Sequence, residues 1–197
     1  MPRPKAYEPD AALQSAMQLF WTDGFEITSI PKLEKRLGIN RFSIYDAFGS
    51  KRKLFLKALE SYTGMLIDTL VEPLESGTDG LGDLERFLSR FQRLFLGQKA
   101  PRGCLLCNTA TELGNRDEEI ALKVNAYFER VETAVFKCLL RAQDLGELDG
   151  GRDMLRDRAR VARSCMQGVL IDLRLGRRAS EIRRALGALK SYILGNG

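Results

Sequence analysis

The sequence predicts an all-α protein of about nine helices, three short ones at the N-terminus and longer ones after them. Three observations carry this. Apolar residues recur at i, i+3 and i+4 along nearly the whole chain. No stretch shows the sustained period-2 alternation of a strand. Glycines and short polar side chains fall where helices of that pattern end and begin.

Taken in order, Leu13, Met17 and Phe20 draw one face that stops at Gly24. Ile30, Leu33 and Leu37 mark a short second helix, opened by Thr28 or Ser29. Pro31 falls in its first turn, where a missing N–H had no partner anyway. Gly38 permits the left-handed residue that ends it, and Asn40 caps a third helix from Arg41 to about Phe48. Ile44 and Phe48 of that helix face inward. After Ser50 a long face runs through Leu54, Phe55, Ala58, Leu59, Tyr62, Leu66 and Leu70, with an expected stop at Pro73. Leu84, Phe87, Leu88, Phe91, Leu94 and Phe95 form the next. Ile120 to Leu139 follow, capped by Asp117 or Asn115 and ending near Gly146. Leu155 to Leu173, ending at Gly176, and Ile182 to Ile193, capped by Ser180, close the chain. Residues 77–82 and 146–151 read as loops.

At 197 residues, 44% hydrophobic and 29% charged, the chain is long enough to bury a core without staples. It has no run of eighteen apolar residues, and Met1-Pro2-Arg3-Pro4-Lys5 is not a signal sequence. The expected location is the cytoplasm, with no membrane partner. Four cysteines in that setting are expected to be reduced. The absence of histidine removes the commonest general base and metal ligand together. With no phosphate-binding glycine loop and no nucleophile–base set, neither an enzyme nor a cofactor or metal is expected.

Two short helices joined by a tight glycine turn make a helix-turn-helix. A rod from Arg41 to Phe48 is about 10 Å long, and a DNA major groove is about 12 Å wide. Eight cations face two carboxylates over residues 32–57, a local charge of +6 against +5 for the whole chain. That concentration suits a polyanion. Arg41, Phe42, Ser43 and Tyr45 are left to face outward, and Arg41 has the fork to take guanine O6 and N7 together. The reading divides the chain into a DNA-binding domain, 1–55, and a larger helical domain, 56–197.

Thr28-Ser29-Ile30, the run Gly38-Ile39 to Ser43-Ile44-Tyr45, and Phe48-Gly49-Ser50-Lys51 resemble the TetR family of regulators over residues 10–60. Gly103-Cys104-Leu105-Leu106-Cys107-Asn108-Thr109 is similar to a stretch found in a subset of that family. The resemblance implies that Thr28 and Ser29 offer a hydroxyl or helix N-terminus to phosphate. It implies that Tyr45 and Lys51 bind phosphate and that Arg41, Phe42 and Ser43 reach base edges. Arg3 and Lys5 would be a basic arm on the DNA, or simply a tail. Three residues depart from the pattern. Glu34 and Phe42 stand where small residues are usual, and Asp46 places a negative charge near phosphate, where it would hold Arg41 or Lys51 or accept from a cytosine.

The resemblance also implies ligand binding and two-fold dimerisation by residues 56–197. Candidate pocket residues are Leu59, Tyr62, Leu66, Phe87, Phe91, Phe95, Cys104, Thr111, Phe128 and Met166, each of which would serve equally as plain core. Candidate interface residues are Val169, Leu170, Leu173, Leu186, Leu189 and Ile193, although a stripe on the last helix would also pack inside its own subunit. Cys104 and Cys107 form a C-x-x-C without the further ligands zinc needs. Their readings are buried small hydrophobes, or a sensor thiol at Cys104, at a helix start beside Arg102. The expected function is a dimeric, ligand- or redox-responsive repressor on a palindromic operator, its ligand small and apolar or electrophilic. The alternative is a helical protein-interaction adaptor that never touches DNA.

Overall fold

The computed structural model describes residues 8–97 and 102–194. Arg3, Lys5 and Pro101 lie outside them. All regular structure among the described residues is helical: α1 (Pro9–Asp23), α2 (Ile30–Leu37), α3 (Arg41–Phe48), α4 (Lys51–Leu66), α5 (Glu72–Glu75), α6 (Leu81–Leu96), α7 (Leu105–Leu113), α8 (Glu118–Asp144), α9 (Arg152–Arg174) and α10 (Ala179–Ile193). A π-helical stretch, Ile67–Val71, joins α4 to α5. Taken as one rod, Lys51–Glu75 leaves nine helical rods among the described residues.

That rod runs past the expected stop at Pro73. Proline has no N–H to continue the ladder. The turn before it widens, with the Glu72 N–H bonding the Ile67 carbonyl, and the helix carries on. The caps otherwise follow side-chain chemistry. Ser29, Asn40, Ser50 and Asp117 each accept the backbone N–H three residues on. Ser180 does not cap α10. Arg178 holds that position, and the Glu181 carboxylate reaches back to its N–H at 3.1 Å.

α1, α2 and α3 pack as a small unit against the first half of α4, around Phe20, Leu33, Ile44, Phe48 and Leu54. α6, α8, α9 and α10 form the larger bundle, and α7 is wedged between α4, α8 and α9. The six residues expected at a dimer interface, Val169, Leu170, Leu173, Leu186, Leu189 and Ile193, are all buried inside this subunit. The most apolar stripe of each helix faces its own core first. Among the residues left exposed are Val161, Gly168 and Ile171 of α9, Leu175 just past its end, and Gly187, Ala188 and Tyr192 of α10.

Candidate nucleic-acid interface

α3 is held by a few defined bonds and presented by its buried side. Ile44 and Phe48 seat it in the core, and the Asn40 side chain accepts the Ser43 N–H at 2.9 Å. Glu34, the unexpected carboxylate on α2, accepts the Arg41 N–H at 2.7 Å. It therefore ties α2 to the start of α3 instead of filling the space between them. Gly38 makes the turn in a left-handed conformation, φ 70°.

Outward from this platform, Phe42 is 81% exposed. Arg41 and Tyr45 are exposed beside it, and Ser43 is half-buried. Ser29 caps α2 at the surface. Thr28, expected to meet phosphate, is fully buried, and its hydroxyl donates to the Gly24 carbonyl at 2.6 Å. It closes the loop after α1, and its side chain is not available to a ligand. Lys51 is half-buried. Its ammonium donates to the Phe25 carbonyl at 3.0 Å and lies 4.1 Å from that ring's centre. Asp46 pairs with neither Arg41 nor Lys51 among the described residues. Ile27, which sequence reasoning passed over, is an exposed apolar residue just before α2.

The segment Trp21–Glu26 at the end of α1 is gripped by distant side chains. Glu112 of α7 accepts the N–H groups of Phe25 and Glu26 at 3.0 and 2.8 Å. Arg174 at the end of α9 donates to the carbonyls of Trp21 and Thr22 at 3.3 and 3.1 Å. Arg102 bonds the Gln18 side chain at 2.7 Å and lies over the Trp21 ring. On the other side of the module, Arg52 forks onto Asp117 at 2.8 and 2.9 Å and reaches Glu119 at 2.7 Å. Arg52 is one of the eight cations expected to suit a polyanion, whereas the roles of Glu112, Arg174 and Arg102 here are not legible in the sequence, because each of these contacts joins residues more than sixty positions apart.

Residues 12–58 match the family profile described as bacterial regulatory proteins, tetR family, and residues 80–189 match that of the tetracyclin repressor-like C-terminal domain. The chain is a TetR-family transcriptional regulator. An uncharacterized HTH-type transcriptional regulator of Bacillus subtilis, YezE, is 32% identical over 76% of this chain and 77% of its own. The HTH-type transcriptional repressor ComR of Escherichia coli is 27% identical over 94% of this chain and 88% of its own. Among solved structures, a cysteine mutant of the TetR-family regulator CifR, complexed with 26-base-pair operator DNA, is 26% identical. It superimposes with a TM-score of 0.79 over 94% of this chain and 98% of its own. TetR-family proteins are DNA-binding regulators, not enzymes, and bind operators as homodimers. No described helix of this regulator is long and apolar enough to cross a membrane.

Inside this TetR-family chain the expected pocket residues separate. Phe91, Phe95, Cys104, Phe128 and Met166 line one cavity of about 20 Å³, together with Tyr127, Val131, Arg163 and Leu170. That is room for about one water. Leu59 instead lines a groove on the other side of Tyr127, and Thr111 lies at a separate surface hollow with Asn115 and Val124. Leu66 and Phe87 are plain core. Tyr62 lies beside the cavity, its hydroxyl 3.6 Å from the Cys104 sulfur and its ring edge-on to Trp21 at 4.9 Å.

Cys104 opens α7, as its place in the sequence suggested, but it is buried. Arg102 points away from it, toward α1. Burial works against a Cys104 thiolate. Donation from the Cys107 thiol and N–H, the Tyr62 hydroxyl and the Leu106 N–H outweighs that and holds Cys104 below the usual thiol range. Cys107 is pushed far up, first by its hydrogen bond to Cys104 and then by burial. Of the two, Cys104 is the one whose surroundings favour the charged form.

Proposed function

We propose that this regulator is a dimeric repressor that reads a palindromic operator through α3, and whose hold on DNA is released by chemistry at Cys104. The reading head is residues 1–55 and the responding domain is residues 56–197. Arg41, Phe42 and Ser43 meet base edges, while Tyr45, Ser29 and the remaining donors of Lys51 meet phosphate. The single observation that carries this is the exposed Arg41–Phe42–Tyr45 surface on a helix fixed at both ends. The Gly103–Thr109 stretch is read as the sensing element of its subset. It supplies a sulfur whose charged form four donors favour, and a small electrophile adding to that sulfur would displace Tyr62, which packs on Trp21 of α1.

The dimer contact is assigned to the residues that α9 and α10 leave exposed. Gly168 and Gly187 sit inside helices, where glycine is unfavourable, and nothing in the subunit approaches either one. Leu175 is 75% exposed. Close approach of a second subunit accounts for both facts, and a two-fold places two recognition helices one turn of DNA, about 34–36 Å, apart.

The deciding experiment is selection of a binding site from random duplexes, followed by affinity measurements across salt. A palindrome bound with a steep salt dependence is expected. A chain that retains no duplex at any salt would instead be a protein-interaction adaptor. Gly168→Arg is expected to give a folded monomer in sedimentation with much weakened operator binding. Cys104→Ser is expected to abolish release by electrophiles while leaving basal binding intact.

A further inference from the structure

We infer that the corner between α9 and α10 is a second DNA contact, which meets the phosphates at the centre of the operator, between the two half-sites that α3 reads. Residues 174–184 carry five arginines, Arg174, Arg177, Arg178, Arg183 and Arg184, against one carboxylate, Glu181. That is a local charge of +4 over eleven residues, outside the basic span of residues 32–57. All five arginines are exposed.

The subunit does little to neutralise them. Arg177 reaches Asp172 only at 3.7 Å, and Arg178 reaches Glu181 only at 3.8 Å. Arg183 and Arg184 have no ion pair among the described residues. The placement is also adverse. Arg177 and Arg178 stand immediately before the first turn of α10, the positive end of that helix, where carboxylates are favoured and cations are not. Within residues 174–184, Glu181 alone offsets them. A polyanion laid against the corner removes that cost.

The position of the corner decides which polyanion. Arg174, the last residue of α9, holds the carbonyls of Trp21 and Thr22 at the end of α1. Asp23, next in the chain, pairs with Lys32 of α2 at 3.0 Å. Arg52 meets Asp117 and Glu119 at the start of α8. The start of α8, the end of α9 and the start of α10 therefore share the end of the large bundle that carries the reading head, and the corner is continuous with the basic surface of residues 32–57. Because the dimer contact is assigned to α9 and α10, the corners of two subunits stand beside the two-fold axis. That axis passes through the centre of a palindromic operator. This step rests on the proposed function.

A contact of this kind holds the backbone and reads no sequence. Each phosphate met steepens the fall of log affinity against log salt by about 0.9.

The probe is a palindromic duplex selected from random sequence, titrated with the full-length chain. Arg177→Gln combined with Arg178→Gln removes two cations from each subunit. The salt slope is expected to fall by about two or more, and the affinity at about 0.1 M salt by about tenfold or more. Preference among single-base operator variants is expected to stay unchanged. Neutral methylphosphonates at the central phosphates are expected to weaken the natural chain, and the double variant much less. Arg183→Gln repeats the test should the double variant no longer sediment as a dimer. An unchanged salt slope in the dimeric variants, or equal losses on methylphosphonate duplex, overturns the contact. Arg41→Ala would still weaken binding in that case, and α3 would remain the reader. No retention of duplex by the natural chain overturns both this inference and the repressor reading.

Discussion

α3 and α7 are nearly the same length, eight and nine residues, and are used in opposite ways. α3 buries Ile44 and Phe48 and turns the rest outward. α7 buries Leu105, Leu106, Cys107, Thr109 and Leu113 and is enclosed by its neighbours. One is a surface for a large rigid partner. The other stands between the cavity at Cys104 and the surface groove that Leu106 lines. A helix that must touch DNA needs little more than a seat and a cap, so its meaning is local. A helix packed among others takes its role from those neighbours, so its meaning lies in the tertiary structure.

The largest expected effect tests the seat of α3. Ile44→Ala should cost about 2–5 kcal/mol of stability in denaturant unfolding, the usual loss for a fully buried aliphatic. A value near zero would mean that α3 is not anchored as described. Next, Arg41→Ala should weaken operator binding by about 1–3 kcal/mol and relax specificity at one base pair, read by affinity against single-base operator variants. A uniform loss across all variants would move Arg41 from base readout to phosphate. Removing the cap with Asn40→Ala should lower stability by about 1 kcal/mol, measured by thermal melting. The Glu34 carboxylate on the Arg41 N–H would make that loss smaller, and Asn40→Ala combined with Glu34→Ala, which removes both acceptors, would bring back the full loss.

The smallest effect concerns α7. Tyr62→Phe removes one donor to the Cys104 sulfur, so the pH at which Cys104 alkylation reaches half its maximal rate should move upward. The direction follows from the sign of the contact, because a hydrogen bond to the charged form lowers a thiol pKa and its loss raises it. Iodoacetamide kinetics across pH in the two proteins check it. An unchanged profile would leave Cys107 and the α7 N-terminus as the whole support of the thiolate.

Helix order, the turn at Gly38, the cap at Asn40 and the limits of α3 were readable in the sequence, because each depends on neighbours within four residues. The failures share the opposite cause. Thr28 has the residue type for phosphate but is drawn inward by the Gly24 carbonyl. The interface stripe was placed on Val169 to Ile193 because strong periodicity reports the most apolar face, and that face goes to the subunit's own core. Pro73 signals a helix end unless the preceding turn can widen, which depends on packing. Glu112 and Arg174 look like ordinary solvated charges until the fold brings α7 and the end of α9 against α1.

What those two residues hold is main chain: the N–H groups of Phe25 and Glu26 and the carbonyls of Trp21 and Thr22. This part of the attachment therefore does not depend on the side chains at positions 21, 22, 25 and 26, whereas Arg102 grips the Gln18 and Trp21 side chains and Arg52 itself reaches Asp117 and Glu119. Exchange of the exposed Arg41, Phe42 and Tyr45 for the residues of another reader is therefore expected to leave these four main-chain bonds in place, with an unchanged thermal melt as the check.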